Sequence, residues 1–397
     1  MPINNLFFLF LGIICGTFTG LFPGVHPNNI VALSFLFIPY FESGYVFFLI
    51  GMVVAHYFIN YVPTVFLGVP DDETATAVFP MHRLTLRGLG YEAVFLSGFG
   101  AFLGIVSSIF VIFVISFLNL DFYRFYSFLK SYLPFILALV LFIIVIFSRS
   151  YWALVITLLS GIFGVITLYK NPSFNCTLTA IFTGMFGIPI LINNLKTARI
   201  PHQIITFPDF KLSFLKSAFF GSVGGFLRIF LPGVGGAQVN YFLSKLIRET
   251  DIRNFIVSQG SITLANEVFS IFALFLIGTG RSGVAKAIKN LNIDVDLFQL
   301  IPSIIIASSI SFVVLLYLSK FILLKMQKIN FKKISIFFIF FCTFVVVISS
   351  INNHLFYHLT IYLTAISIGI LCLKTKTPFS YMMSVLIFPT ILYFLSS

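Results

Sequence analysis

Charge is nearly absent over long stretches of this chain. Uncharged runs cover Met1–Phe41, Ser43–Pro70, Ala93–Leu120, Ser131–Ser148, Tyr151–Tyr169, Asn171–Leu195, Leu297–Ser319, Ile334–Leu373 and Thr377–Ser397. Each is long enough for one apolar helix of about 20 residues and the longest for two, so the pattern predicts roughly twelve membrane segments, some of them half-helices. Composition agrees: hydrophobic residues make up 59% of the 397 and charged residues 9%. A soluble domain has no place to hide that much apolar surface, so the bilayer is the solvent and the expected fold class is an all-α polytopic membrane protein. No basic residue precedes the first apolar run and no cleavage-like site follows it, so it reads as a retained membrane segment rather than a secretory signal.

The punctuation of these runs repeats. Gly12, Gly16, Pro23, Gly24 and Val25 recur 209 positions later as Gly221, Gly225, Pro232, Gly233 and Val234, and the same lag pairs Gly51 with Gly260 and Phe66-Leu67 with Phe275-Leu276. Glycines and prolines at matched places inside apolar runs mark helices broken within the membrane, the sequence pointer to a transporter's binding site. The expected organisation is therefore one integral membrane domain of two related halves, 1–205 and 206–397, divided by the connection that carries Lys196, Arg199, Pro201 and Pro208. An odd number of predicted crossings between matched motifs makes the halves inverted repeats, with re-entrant or broken helices at the Pro-Gly motifs.

In the first hairpin, Gly20-Leu-Phe-Pro-Gly-Val-His-Pro-Asn-Asn-Ile30, Pro23 and Pro27 each lack a backbone donor and Gly24 tolerates dihedrals closed to other residues, so the helix is expected to break there. Unwound backbone at membrane depth is tolerated only inside protein or along a wet cavity. Asn28 or Asn29 is placed to cap a helix starting near Ile30, whose free N–H groups favour an anion. The second copy, Leu231-Pro-Gly-Val-Gly-Gly-Ala-Gln-Val-Asn240, offers close backbone approach at Gly233, Gly235 and Gly236 and uncharged hydrogen-bonding groups at Gln238 and Asn240. Arg228 is the only charge between Ser217 and Ser244. It is either a site residue or a helix-end arginine reaching the interface.

The other paired region separates the charges. Phe66-Leu-Gly-Val-Pro-Asp-Asp-Glu-Thr-Ala-Thr-Ala77 sets Asp71, Asp72 and Glu73 side by side after Pro70, either as an N-cap and first turn or, with Thr74, as cation-coupling groups. The counterpart, Phe275-Leu-Ile-Gly-Thr-Gly-Arg-Ser-Gly283, carries Thr279, Arg281 and Ser282 instead. Asn266 and Glu267 stand in an apolar segment with no other charge between Arg253 and Arg281. A carboxylate so isolated must be protonated, paired or solvated, which makes Glu267 the first candidate for ion coupling and a structural partner of Arg228 or Arg281 the alternative.

Net charge is +12, but it sits in loops, so it bears on orientation and lipid contact rather than nucleic acid. The basic loop with Lys320, Lys325, Lys328, Lys332 and Lys333 is expected on the cytoplasmic side. Cys15, Cys176, Cys342 and Cys372 lack paired spacing and read as small buried hydrophobes, so no disulfide framework, metal site or cofactor is expected. Neither a His-Glu-x-x-His motif nor a Gly-x-Ser-x-Gly elbow is present, which argues against an enzyme.

At these residues the chain resembles the large permease subunits of the tripartite tricarboxylate transporters. The resemblance lies in Gly20-Leu-Phe-Pro-Gly-Val25, Phe66-Leu-Gly-Val-Pro70 with the Thr- and Ala-rich run to Ala77, Arg87-Gly88 leading to Glu92-Ala93, Leu231-Pro-Gly-Val-Gly-Gly236 and Ala265-Asn266-Glu267. It implies a secondary transporter of the plasma membrane carrying an organic anion such as a di- or tricarboxylate with sodium or protons, working with a small membrane subunit and an extracytoplasmic binding protein. The chain departs from the family where a second Pro-Gly is Pro70-Asp71 in one half and Thr279-Gly280 in the other, and where Pro80-Met-His-Arg83 replaces an acidic position. Two other classes stay open: a flippase for a lipid-linked phosphate such as polyprenyl phosphate, with phosphate cradled at the hairpins, and an intramembrane enzyme acting on a lipid diphosphate through Asp71-Asp72-Glu73.

Overall fold

The computed structural model describes residues 3–22, 25, 27–34, 44–69, 78–118, 122–148, 150–196, 201–278, 280, 282–290, 297–326, 330–351 and 354–396. Eleven helices among them are long and apolar enough to cross a membrane, and Leu212–Leu227 is a shorter apolar helix. In chain order the first half comprises α1 (Ile3–Gly20), α2 (Pro27–Ser34), α3 (Tyr45–Ile59) continued by α4 (Tyr61–Leu67), α5 (Val78–Thr85), α6 (Gly90–Phe117), α7 (Phe122–Ser148), α8 (Tyr151–Leu168), and α9 (Phe174–Phe182) joined through a π turn to α10 (Ile188–Asn194). The second half repeats the order: α11 (Leu212–Leu227), α12 (Gly236–Leu246), α13 (Ile252–Ile277), α14 (Gly283–Asn290), α15 (Leu297–Met326), α16 (Phe331–Ser350), α17 (Leu355–Lys374), a 3-10 turn and α18 (Ser384–Ser396). The helix starts Ile3 and Leu212, Pro27 and Gly236, and Phe122 and Phe331 keep the 209-residue lag.

Glycine spacing dictates the central packing. Gly12, Gly16 and Gly20 fall four apart on one face of α1, and that bare face lies directly on α3. A Cβ at Gly12 would stand 2.1 Å from the Phe48 carbonyl oxygen, one at Gly16 2.1 Å from that of Met52, and one at Gly20 2.6 Å from that of His56. Small residues let membrane helices pack backbone to backbone, the main attraction available once both are in lipid. The contacts rise together along both chains, so α1 and α3 run parallel and α2 begins the return path between them. The second half does the same, with Gly221 against Ser258 and Gly225 against Ala265 and Asn266.

The two halves interlock through α6 and α15. α6 packs on α13 and α15 on α3; α6 also touches α11, as α15 touches α1. Every one of these pairings survives exchange of the halves. Gly100 of α6 meets the Val257 carbonyl and Gly260 of α13 the Ser97 carbonyl, while Arg253 donates to Glu92 across the same seam. The course of α4 is opposite to that of α13. The Tyr61 hydroxyl reaches the Gly260 carbonyl, and Phe66 lies beside Gly90, two residues before the partner of Arg253. Moving down α4 thus means moving up α13, and His56 falls at the depth of Ala265.

One detail departs from the sequence match. Gly51 faces Leu9 on α1, whereas Gly260 faces Ser97 on α6. The place of Gly51 is taken in the second half by Ser261, whose hydroxyl donates to the Ala218 carbonyl, 209 positions beyond Leu9. Along α3 and α13 the structural lag is 210. It pairs Phe48 with Ser258, Ala55 with Ala265 and His56 with Asn266, and it pairs Gly68 with Gly278, left-handed caps with φ of 68° and 67°. A glycine records close approach without recording which neighbour approaches, and a slip of one residue turns a helix face by about 100°.

Candidate functional site

Both helices expected to break do so. α1 ends at Gly20 and α2 opens at Pro27; α11 ends at Leu227 and α12 opens at Gly236. The unwinding follows one hydrogen-bond scheme in both. Leu21, Phe22 and Val25 donate to the carbonyls of Phe18, Thr19 and Phe22 at 3.2, 3.2 and 3.3 Å. Phe230, Leu231 and Val234, each 209 further on, donate to Leu227, Arg228 and Leu231 at 3.1, 3.2 and 3.4 Å. Pro23 and Gly24 lie outside the described residues, as do the side chains of Asn28 and Asn29. The helix already begins at Pro27, so both asparagines belong to its first turn rather than preceding it, because proline suits the first helical position.

The second hairpin is described in full and is self-braced. Arg228 Nε donates to the Val234 carbonyl at 3.1 Å, tying the end of α11 across the turn. Gly233 takes a φ of 78°, and a Cβ there would lie 3.0 Å from the Thr390 hydroxyl of α18. Gln238 Oε1 accepts from the Gly235 N–H, and its Nε2 donates to the Ser380 carbonyl at 2.9 Å. Gly235 and Gly236 open α12. Further along, Asn240 Nδ2 donates to the Phe255 carbonyl and to Gln259 Oε1. Asn240 Oδ1 is buried without a hydrogen-bond partner among the described residues. Arg228, Gly233, Gly235, Gly236 and Gln238 therefore form one turn, whereas Asn240 belongs to the α12–α13 seam.

The hairpin stops beside the middle of α13. Gly225 rests on Ala265 and the Asn266 nitrogen, and the Phe226 ring meets Phe269 at 5.1 Å between centroids. Glu267, buried at 2% exposure, stands at this depth on α13, with half-buried Asn266 next to it. Ser270, one turn on, accepts from the Ser282 N–H at 2.7 Å, so the chain after the second break folds back to within a turn of Glu267. Ser282 itself caps α14 by accepting from the Ala285 N–H. α14 then packs on α2 and α3, placing the second break of one half beside the hairpin of the other. Asp71, Asp72, Thr74 and Thr279 lie outside the described residues.

One buried polar row was not singled out by the sequence reading. His56, Asn60 and Thr64 occupy i, i+4 and i+8 on α3–α4 and are 1%, 6% and 0% exposed. The span Tyr45–Leu67 is entirely buried, so these groups face protein rather than lipid. The regular spacing in an otherwise apolar run was the available signal.

A multi-span, all-α membrane protein whose helices break in pairs next to buried polar groups has the build of a transporter. The chain belongs to the tripartite tricarboxylate transporter TctA family, whose pattern it matches over residues 6–384. That family provides the large permease subunit of tripartite systems, which work with other components. The chain is 59% identical over 393 residues, 98% of its length and 99% of the relative's, to an uncharacterized protein of Methanocaldococcus jannaschii. No solved structure matches it.

Proposed function

We propose that the protein is a secondary-active permease for an organic anion of the di- or tricarboxylate class, coupled to a cation and housed in the plasma membrane. The observation that carries the reading is the pair of hairpins with one hydrogen-bond scheme, the second ending beside Glu267. Helix ends of this kind present free N–H groups to an anion, Arg228 adds positive charge, and Glu267, with Asp71, Asp72 and Thr74 in the first half, is assigned to the cation. A small membrane subunit and an extracytoplasmic binding protein are the assigned partners. The halves are read as inverted repeats, supported by the opposite courses of α4 and α13 and by the parallel pairing of α1 with α3 and α11 with α13. Uptake of citrate and succinate into proteoliposomes under sodium or proton gradients tests the function; saturable, gradient-driven uptake is expected.

A second reading, transport of a lipid-linked phosphate, is favoured by one observation. A groove of about 450 Å³ between α7, α8 and α18 is walled by Leu141, Phe142, Leu154, Leu158, Phe388 and Leu392. α18 also supplies Leu386 and Thr390 against Gly233, so an apolar chain in that groove would end near the second hairpin. Translocation of polyprenyl phosphate without any carboxylate flux would favour this reading over the first.

A further inference from the structure

Contacts in the core fix which helix ends lie together. Gly100 and Gly104 of α6 meet Val257 and Ser261 of α13, so these two helices rise together, and α11 rises with α13. α15 runs the other way along α6. Gly98 lies against Leu315, and Phe102, one turn further along α6, stacks on Phe312, further back along α15. α4 also runs against α13. The starts of α6, α11 and α13 are thus gathered with the ends of α4 and α15. The connection between the halves lies over the same ends, since Gln203 Oε1 accepts from the Gly90 N–H at 2.9 Å and the Ile204 N–H donates to the Gly88 carbonyl at 2.8 Å.

These ends are rich in cations. Arg83 and Arg87 stand at the α5–α6 turn, Lys211 ahead of α11, Lys245 and Arg248 at the end of α12 and Lys325 at the end of α15. At the opposite ends of the core helices, the described residues supply Lys286 and Lys289 of α14, and Arg124 just beyond the end of α6. Lysine and arginine are enriched in cytoplasmic connections close to membrane-helix ends, and their number rather than the net charge sets orientation. Acids among the basic turns, such as Asp251 and Glu92, therefore do not offset them. Each hairpin, in turn, keeps its two ends together. α11 starts where Lys211 Nζ pairs with Asp251 at 3.0 Å, and α12 ends at Leu246, shortly before α13 opens at Ile252. α1 starts beside the start of α3, where the Phe8 ring lies against Gly44. α2 ends there too, because the Ser34 and Tyr45 hydroxyls share a hydrogen bond of 2.7 Å.

We propose that the basic turns form the cytoplasmic surface, so that the second hairpin, which carries Arg228, opens to the cytoplasm and the first hairpin opens to the outside of the cell. The inference rests on the reading of the halves as inverted and adds which of the two hairpins meets which compartment. It is independent of the substrate, because neither a carboxylate nor a lipid-linked phosphate enters the argument.

Single cysteines at four exposed positions test it: Leu86 and Leu246 among the basic turns, Ile3 and Leu118 at the opposite ends. Each full-length variant is treated with an impermeant maleimide in whole cells and in inside-out membrane vesicles. Labelling in detergent gives the full reaction, and the wild type, whose four cysteines are buried or half-buried, gives the background. Leu86→Cys and Leu246→Cys are expected to label nearly completely in inside-out vesicles and to lose that labelling in whole cells; Ile3→Cys and Leu118→Cys are expected to do the opposite. The reverse pattern overturns the orientation while leaving the halves inverted. Labelling of Ile3→Cys and Leu246→Cys from one and the same face removes the inversion and the proposal together. Labelling of every position from both faces means mixed orientation and overturns the proposal. A position that reacts in detergent but from neither face has its helix end inside the membrane, which overturns it as well.

Discussion

A single methyl group at Gly16 tests the crossing on which the mid-membrane site rests. An ideal Cβ there stands 2.1 Å from the Met52 carbonyl oxygen and 2.9 Å from both the Ala55 Cβ and the His56 nitrogen, where ordinary contact begins at 3.4 Å. The obstructing atom is a helix carbonyl, which cannot swing aside, so α1 and α3 must part locally by about 1 Å in an interior packed to crystal density. The loss belongs at the upper end of the about 1–3 kcal/mol typical of overpacking. Two other glycines calibrate it. Gly225→Ala meets the Asn266 nitrogen at 2.8 Å and the Ala265 Cβ at 2.9 Å, a smaller overlap that is expected to cost about 1 kcal/mol. At Gly278, φ is 67° and nothing lies within 4 Å, so alanine there bears only backbone strain of about 1 kcal/mol. Thermal unfolding in nanodiscs should rank Gly16→Ala as the most damaging of the three. A Gly16→Ala protein as stable as wild type, or more stable than Gly278→Ala, would refute the packing argument.

Other consequences are open to direct measurement. Glu267→Gln should impair gradient-driven flux while leaving expression and folding intact, and wild-type flux would remove it from the site. Cysteines introduced at the exposed positions Ile3 and Leu212 should react with an impermeant thiol reagent from opposite faces of the membrane; labelling from one face would rule out inversion of the halves. Truncating Glu92 to alanine takes a carboxylate from the α6–α13 seam, where its side chain is 5% exposed and that of Arg253 34%. The half-exposed arginine rehydrates, so a loss of about 1–3 kcal/mol is expected, short of the fully buried case. At the start of α13, burial raises the Asp251 pKa, but the Arg253 N–H and the Lys211 ammonium outweigh it and hold the carboxyl below its usual 3.8. Its folded pKa being depressed, Asp251 contributes stability that is present above that value and lost as the pH falls through the folded pKa. Asp251→Asn should therefore lower stability at neutral pH and leave it nearly unchanged below the folded pKa, which flattens the acid limb of the stability profile.

The broken helices were legible because proline and glycine disfavour helix locally: Pro232 and Gly233 fall in the gap between α11 and α12, where Gly233 takes a φ of 78°. The family resemblance was legible for the same reason, since its motifs are these turns. The one-residue slip between α3 and α13 was not, because a glycine match at Gly51 and Gly260 carries no information about which neighbour each glycine admits. Gln238 looked like a free hydrogen-bonding group, yet its amide is used by the Ser380 carbonyl, 142 residues away in the chain, a partner no local pattern reveals. Ser282 was expected at the binding site and caps α14, bringing the second break close to Glu267 by its backbone instead. His56 was passed over because a single histidine in an apolar run carries no signal by itself, and its spacing to Asn60 and Thr64 shows only that one face of α3–α4 is polar and buried.

The central claim is that the paired hairpins hold an anion at mid-membrane, and the effect of Arg228→Ala on anion affinity tests it most directly. Arg228 braces the second turn through the Val234 carbonyl, and a charge-assisted bond of this kind contributes about 1.5–3 kcal/mol. The variant is therefore compared at a temperature where it remains folded, with Asn240→Ala as a second probe on the other arm of the hairpin. The account predicts that citrate stabilises wild type saturably and that Arg228→Ala raises the half-saturating concentration by about ten-fold or more. Unchanged anion affinity in folded Arg228→Ala and Asn240→Ala would make the second hairpin a packing device and contradict the account.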